Sequence, residues 1–265
     1  METMQGKSFL SWIGGKSRLA SQIIPLMPEH QCYCEVFGGA GWVLFKKPES
    51  KSEVLNDFNH DLVMLYRVVQ NHLEEFVRYF KWVLVSRDEF ERLNSANPDS
   101  LTDIQRAARF YYLVKTSFGS RVNRPTLGTS TTGKPRLNLL RLEEDLSVAH
   151  LRLSRVQIEN LPYAELIRRY DRKHTLFYID PPYHGCEDYY GDGMFSRDDF
   201  IHLRDQLGSV KGKFILSIND HPDIRNIFGQ FVVREVSTRY SVGTNSKGGA
   251  VKELLFLNYE PQAVK

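Results

Sequence analysis

One stretch of the sequence, TLFYIDPPY at residues 175–183, decides the fold. Its first part, 175–179, is a largely apolar run of the length of a buried strand. Asp180 and two prolines follow at once, and prolines end a strand in a rigid bend. Open α/β sheets bind their ligands at the carboxyl ends of the strands. The stretch therefore predicts a buried strand that presents a carboxylate to a site.

Similar short runs alternate with helical segments along the rest of the chain. This alternation predicts an α/β protein with a mostly parallel sheet. The predicted strands cover 32–37, 53–55, 175–179, 213–218, 231–236 and 253–258.

Few strand signals occur between the second and third of these runs. Helices are predicted there over 61–84, 87–93 and 103–116, followed by a loop rich in Gly, Ser, Thr and Pro at 119–135. We therefore expect residues 62–173 to be an insertion in a sheet domain made of 1–61 and 174–265.

The composition is that of an ordinary globular protein, with 42% apolar and 25% charged residues and a mean hydropathy of −0.38. No window approaches a membrane span, and the amino terminus lacks the apolar core of a secretory signal. The three cysteines, Cys32, Cys34 and Cys186, match neither a disulfide framework nor a zinc site. We expect a protein that remains in the cytoplasm and holds no metal.

Positive charge is concentrated in one segment. Residues 104–142 contain no Asp or Glu. The segment has eight basic residues, namely Arg106, Arg109, Lys115, Arg121, Arg124, Lys134, Arg136 and Arg141. Such a segment favours a polyanionic partner such as nucleic acid, and a solvated basic helix and loop is the alternative.

Two glycine-containing turns precede the decisive stretch. The sequence Gly14-Gly15-Lys16-Ser17 resembles the end of a Walker loop, but the first glycine of that motif would fall at Leu10. It is either a structural turn or a turn that aims Lys16 at a ligand. EVFGGAG at 35–41 runs from a strand into a helix, and Asp57 ends the next strand. Together they favour a nucleoside ligand, with the acid on the ribose hydroxyls.

The DPPY tetrapeptide at 180–183 suits a ligand that carries an amino group. Its two prolines lack backbone donors, which leaves the carbonyls of Asp180 and Pro181 as hydrogen-bond acceptors. These carbonyls and the carboxylate can accept the hydrogens of an exocyclic amine.

Four ordered motifs resemble the Dam family of DNA adenine-N6 methyltransferases. They are FLSWIGGK at 9–16, EVFGGAG at 35–41, LNDFNHDL at 55–62 and DPPY at 180–183. KFILSIND at 213–220 and KELLFLNY at 252–259 also look like later strands of that family. The resemblance spans nearly the whole chain. It implies a Rossmann-like S-adenosylmethionine-dependent methyltransferase sheet with a mostly helical insertion for DNA recognition.

The resemblance implies S-adenosylmethionine as the cofactor and assigns the residues of the site. The implied cofactor residues are Trp12, Lys16, Glu35, Phe37, Gly39, Gly41, Asp57 and Asp180. The implied catalytic residues are Asp180, Pro181, Pro182 and Tyr183.

The implied reaction is methylation of N6 of an adenine that is flipped out of double-stranded DNA. The insertion is expected to bind DNA through Arg121, Asn123, Arg124, Lys134 and Arg136. Because 118–124 only loosely matches the family's recognition loop, no target sequence is implied. A cognate restriction nuclease as partner and the oligomeric state are left open.

Two other interpretations compete with this one. An enzyme that methylates an amine in RNA or in a protein glutamine is the nearest, although Asp180 stands where glutamine-modifying enzymes usually have asparagine. A non-catalytic DNA-binding protein with the same fold is the other. Roles for His184, Cys186 and the loop 188–193 are also left open.

Overall fold

A computed structural model describes residues 6–12, 14–183, 195–238 and 251–261. Within these residues the strands form one seven-stranded sheet. They are β1 (Cys32–Glu35), β2 (Ser52–Asn56), β3 (Val156–Glu159), β4 (Thr175–Ile179), β5 (Lys213–Asn219), β6 (Val232–Thr238) and β7 (Val251–Leu257).

The sheet order is β3-β2-β1-β4-β5-β7-β6. The strands from β3 to β5 in this order are parallel to their neighbours, whereas β7 is antiparallel to both β5 and β6. This arrangement confirms the predicted α/β class and its mostly parallel sheet. From β1 the chain proceeds to β2 and β3 on one side of the sheet, and from β4 it proceeds to β5 and beyond on the other side. The topological switch point therefore lies between the adjacent strands β1 and β4.

Helices cover both faces of the sheet. They are α1 (Ala20–Ile23), α2 (Trp42–Lys46), α3 (His60–Asn71), α4 (Leu73–Phe80), α5 (Arg87–Ser95), α6 (Asp103–Thr116), α7 (Leu142–Leu153), α8 (Tyr163–Tyr170), α9 (Arg197–Leu207) and α10 (Pro222–Phe228). The predicted helix at 103–116 is confirmed, whereas the one predicted over 61–84 is two helices with a bend at His72. None of the described helices is long and apolar enough to cross a membrane.

Side chains of each central strand alternate between two cores. Tyr33 of β1 and Tyr178 of β4 point into the core that α1 to α7 cover. Cys34 and Phe177 of the same strands point into the core that α8, α9 and α10 cover. Because successive side chains of a strand face opposite sides, a sheet with two covered faces needs strands that are apolar throughout. The continuous apolar runs of the sequence meet this requirement.

The strand β3 corrects the predicted interval between the second and third strands. It lies inside 62–173, pairs with β2 at the edge of the sheet, and is followed by α8 on the sheet face. The sequence signal was weak because an edge strand of four residues, Val156–Glu159, alternates apolar and polar residues only twice. We propose that the inserted segment ends before Val156 rather than at residue 173.

A buried ion cluster ties the insertion to the sheet. Glu53 of β2 accepts a hydrogen bond of 2.5 Å from Lys47 Nζ and another from Arg152 of α7. Burial alone would raise the pKa of Glu53, but the two cations hold it below its ordinary value. Lys47 and Glu53 are both almost fully buried. Each charge therefore depends on its partners for the solvation that water no longer supplies.

We expect Glu53→Gln to lower the free energy of unfolding by about 3–5 kcal/mol, since it leaves Lys47 and Arg152 without their carboxylate. Chemical denaturation at neutral pH measures this loss. The matched control is Glu49→Gln, an exposed glutamate nearby, which should change the free energy of unfolding by less than about 0.5 kcal/mol. Equal effects of the two variants would contradict a stabilising role for the cluster.

Candidate active site

A cavity of about 260 Å³ opens at the carboxyl ends of β1, β2 and β4. The structure brings the whole predicted cofactor set together there. The lining includes Trp12, Lys16, Glu35, Phe37, Gly39, Gly41, Asp57 and Asp180, together with Pro182. The cavity thus lies beside the topological switch point, where sheets of this kind bind ligands.

The glycine turn after β1 forms the floor of this cavity. Gly39 has a φ of +48°, and a Cβ atom added there would lie 2.9 Å from Nε1 of Trp12. Gly41 has a φ of +63° and stands immediately before α2. Side chains at either position would be strained and, at Gly39, would collide with the indole. The glycines therefore allow Trp12 to pack directly against the backbone.

Asp57 fixes this turn from the end of β2. Its Oδ2 atom accepts a 2.8 Å hydrogen bond from the Gly39 amide, and its Oδ1 atom accepts one of 2.8 Å from the Asn59 amide. Burial raises the pKa of Asp57, although these amide donors oppose the shift. Each carboxylate oxygen keeps further lone-pair capacity toward the cavity. Such capacity suits the hydroxyl groups of a ribose.

Lys16 and Asp180 form the centre of the site. The buried ammonium donates hydrogen bonds to Asp180 Oδ1 at 2.6 Å, to the Tyr183 hydroxyl at 2.7 Å and to the Gly14 carbonyl at 3.2 Å. The Ser217 hydroxyl also donates to Asp180 Oδ1, at 3.1 Å. Burial raises the pKa of Asp180, and Lys16 works against that rise. No hydrogen bond among the described residues occupies Asp180 Oδ2.

Glu35 is a second carboxyl group that reaches the cavity from β1. Its Oε2 atom accepts hydrogen bonds from the Tyr33 hydroxyl at 2.7 Å and from the Leu44 amide at 2.9 Å. Complete burial raises the pKa of Glu35 to about 8, which outweighs both donors. The group is therefore mainly protonated at neutral pH, before any ligand is bound.

Several lining residues escaped the sequence analysis. Phe37 belongs to an aromatic cluster with Tyr163 and Phe195, with ring centroids 5.8 Å from each. Phe58, next to Asp57, lines the cavity with an exposed ring. Tyr163 and Phe195 belong to no motif and stand at no predicted strand end, whereas Phe58 closely follows the predicted strand 53–55. These rings give the cavity apolar walls.

The structure divides the basic residues of the insertion into two groups. Four of them are occupied within the protein: Arg106 with Asp61 and Asp99, Arg109 with backbone carbonyls, Lys115 with the Phe9 carbonyl, and Arg141 with Glu144. Arg121, Arg124, Lys134 and Arg136 have exposed side chains, and Asn123 is half-buried. The four basic residues of the predicted DNA-binding set are thus exposed, whereas its fifth member, Asn123, is half-buried.

The insertion also reaches the cavity. Ser120 and Val122 line it, on either side of Arg121 in the sequence. Ser120 has a φ of 56° and Arg124 a φ of 46°, values that are uncommon for residues with side chains. A basic loop with two residues in the left-handed region therefore borders the cavity that contains Asp180. His184, Cys186 and the loop 188–193 lie outside the described residues.

Comparisons with known proteins identify the family to which this sequence is similar. The sequence model of the family described as D12 class N6 adenine-specific DNA methyltransferase matches residues 12–242. Type II methyltransferase M1.LlaDCHI of Lactococcus lactis subsp. cremoris is 28% identical, covering 96% of this chain and 95% of its own. Type II methyltransferase M.MjaIII of Methanocaldococcus jannaschii is 27% identical, covering 97% and 100%. DNA adenine methylase of Escherichia coli K12 is 26% identical, covering 98% of both chains.

The raised pKa of Glu35 predicts a pH-dependent stability. Between its ordinary pKa of 4.5 and about 8 the folded protein binds this proton more tightly than the unfolded chain does. Stability therefore falls as pH rises through that window, by up to about 1.4 kcal/mol per pH unit. Glu35→Gln removes the titrating carboxyl group and keeps an oxygen that can accept from the Tyr33 hydroxyl and the Leu44 amide. Denaturation at several pH values should show the variant gaining stability over the wild type between pH 5 and pH 8.

The control for this series is Glu29→Gln, which changes an exposed glutamate. Measured over the same pH range, it gives the baseline for losing a carboxyl group outside the site. A stability difference for Glu35→Gln that follows this baseline would contradict a raised pKa of Glu35 in the folded protein.

Proposed function

The chain belongs to the family of D12 class N6 adenine-specific DNA methyltransferases. We propose that its cavity binds S-adenosylmethionine and places it next to an adenine held at Asp180. The activity is the methylation of adenine in DNA at N6. The observation that carries the site assignment is the contact of Lys16 with Asp180 Oδ1, since it leaves Oδ2 available at the cavity.

S-Adenosylmethionine fits the chemistry of the cavity. Asp57 at one end suits ribose hydroxyls, and the carboxyl groups of Glu35 and Asp180 suit a ligand with positive charge. The aromatic walls suit its apolar parts, and the absence of a side chain at Gly39 lets the Trp12 indole pack against the floor of the cavity. When bound, it supplies a methyl group on a sulfonium, whose sulfur keeps the electrons of the broken bond.

Asp180 orients the amine that receives the methyl group. The amino nitrogen of adenine is a weak nucleophile because its lone pair is delocalised into the ring. In our proposal Asp180 Oδ2 and the Pro181 carbonyl each accept one N6 hydrogen, which favours a tetrahedral nitrogen with a localised lone pair. Lys16 and Ser217 hold the carboxylate for this task through Oδ1. Pro182 keeps the bend rigid.

Tyr183 provides the surface for the flipped base. Lys16 and Glu253 contact its hydroxyl, so that the ring is held by two partners. Stacking on this ring offsets the cost of a few kcal/mol for taking a base out of the duplex. Duplex DNA as substrate accords with the exposed residues Arg121, Arg124, Lys134 and Arg136 and with the half-buried Asn123 between the first two.

Two relatives are named Type II methyltransferases. Their names support a role in which the chain protects DNA against a cognate restriction nuclease. The DNA substrate supports the cytoplasm of a bacterial or phage-infected cell as the place of action.

Purified protein incubated with S-adenosylmethionine and unmethylated duplex DNA should form N6-methyladenine, measured by nucleoside mass spectrometry. Asp180→Asn should lower the rate by about 100-fold or more, because an amide cannot accept as a carboxylate does at the reacting amine. The control Asp205→Asn changes an exposed carboxylate on α9 and should retain the wild-type rate.

Mapping the methylated sites then gives the target sequence, which is also the sequence that a paired nuclease would cut. Cofactor binding without any methylated base would contradict the DNA assignment, and RNA would be the next substrate. Equal rates for Asp180→Asn and the wild type would contradict the role of Asp180.

The outward-facing basic group predicts a particular salt dependence of DNA binding. If its four charges meet phosphates, log K should fall with log salt at a slope of about −3.6, and Arg121→Gln with Arg124→Gln should reduce the slope to about −1.8. The control pair Lys51→Gln and Lys211→Gln lies at the opposite end of the strands and should leave the slope unchanged. Fluorescence anisotropy at several salt concentrations measures it, and equal slopes for both pairs would remove the basic loop from the DNA interface.

A further inference from the structure

A third carboxyl group lies behind the site, and the roles proposed above do not use its charge. Glu253 is in the middle of β7, where it pairs with Asn219 of β5 and Val236 of β6. Its side chain is fully buried. Burial of a carboxyl group inside a sheet is costly unless its oxygens find partners. An apolar residue would be the ordinary occupant of this buried position, so the presence of a glutamate there needs an explanation.

Only one of the two Glu253 oxygens is satisfied. Oε1 accepts a hydrogen bond of 2.6 Å from the Tyr183 hydroxyl. Oε2 is buried and has no hydrogen-bond partner among the described residues. The cationic group that it faces is Lys16, whose Nζ atom is 3.9 Å away. This distance is too long for a hydrogen bond and short enough for a strong electrostatic attraction.

Lys16 cannot satisfy this oxygen in the structure as it stands. An ammonium group has three hydrogens to donate. The hydrogen bonds to Asp180, Tyr183 and the Gly14 carbonyl use all three. A hydrogen bond to Glu253 Oε2 therefore requires that one of these three acceptors becomes weaker. The methylation reaction weakens Asp180 as an acceptor.

We propose that Glu253 is the second counter-ion of Lys16. Glu253 replaces Asp180 as the ion-pair partner of the Lys16 ammonium when the proton from adenine N6 neutralises Asp180. The proposal rests on the proposed role of Asp180 at the reacting amine. Glu253 is a positioning residue in this scheme, because it acts through Lys16 and does not touch the substrate.

The proton balance of the step is simple. N6 gains a methyl group and gives one proton to Asp180 Oδ2, so that Asp180 becomes a neutral carboxylic acid. Lys16 keeps its charge and loses the attraction of Asp180. A shift of Nζ toward Glu253 Oε2 then restores a charged pair inside the protein. The proton passes from Asp180 to water once the product has left.

The other groups around Lys16 fit this exchange. Burial raises the pKa of both Asp180 and Glu253, and the positive charge of Lys16 lowers both pKa values. The negative charge of Asp180 further raises the pKa of Glu253. Glu35 also faces the cavity but is mainly protonated at neutral pH. The neighbours on β4 and β5, Tyr178 and Ser217, contribute hydroxyl groups joined by a 2.9 Å hydrogen bond.

The charged residues next to Glu253 in β7 and β6 belong to a different surface. Lys252 is exposed, and its Nζ atom lies 3.4 Å from Glu235 of β6, which also pairs with Arg225. Asp220, at the end of β5, is held by the same arginine. Among the residues that the structure describes, Lys16 is therefore the cation that pairs with Glu253.

The test is Glu253→Gln, in which the amide oxygen still accepts from Tyr183 while the negative charge is lost. Among the described residues, Asp180 then becomes the one carboxylate within 4 Å of the Lys16 ammonium, so the pKa of Asp180 should fall by about one unit. Carbon-13 NMR of protein labelled at the aspartate carboxyl carbons measures this in the free protein, with Asp180→Asn to assign the signal. Under single-turnover conditions the acid limb of the pH–rate profile should move to lower pH.

A loss of basicity at Asp180 should also lower the plateau rate by roughly tenfold, well short of the loss when a catalytic base is removed altogether. The comparison variant is Tyr183→Phe, which removes the hydroxyl bond to Glu253 but no charge. It should leave the Asp180 titration within about 0.3 units of the wild type, because the ion pairs remain. If Glu253→Gln does not fold, Glu253→Met serves the same test, as an apolar side chain of similar length.

The proposal is overturned if Asp180 titrates identically in the wild type and the Glu253 variant, or if Tyr183→Phe reproduces the whole shift. The second result would reduce Glu253 to a support for the tyrosine ring. Absence of methylation by the wild type would instead refute the proposed function, and the NMR titration would still report on the charge coupling.

Discussion

The active site depends on one contact, the 2.6 Å hydrogen bond between the ammonium of Lys16 and Oδ1 of Asp180. The two residues are far apart in the sequence, one in a turn before α1 and the other at the exit of β4. A buried ammonium needs acceptors for all three hydrogens, and it finds them only when both segments are in place. The contact therefore fixes the amino-terminal segment across the carboxyl end of the sheet and closes one side of the cavity.

Much of the fold could be predicted because the central strands are buried on both faces and read as continuous apolar runs. The site residues near strand ends could also be predicted, since DPPY and the glycine turn have recognisable sequences. The short edge strand β3 could not, because Val156–Glu159 has too little length for a pattern. Glu253 gave no signal either, because its partner Tyr183 is 70 residues away in the sequence and only the sheet brings them together.

The basic insertion shows a different limit of sequence analysis. A run without acids suggested eight available charges, yet Arg106 is held by Asp61 and Asp99, which precede the run. Lys115 is half-buried, and loss of solvent around its ammonium group lowers its pKa. Ion pairs and burial depend on the packing of α3 against α6, which charge counting cannot represent. What remains exposed is a smaller group, of which Arg121 stands between two residues that line the cavity.

The carboxyl groups of Asp180 and Glu253 share the ammonium of Lys16, and Glu35 lines the same cavity, so the cavity gains negative potential once Glu35 ionises. Such a potential discriminates between the two forms of the cofactor. The methyl donor carries a sulfonium charge, and the thioether that remains after transfer does not. The spent cofactor thus loses part of its attraction to the cavity at the moment the reaction is complete, which favours its exchange for a fresh molecule and limits product inhibition.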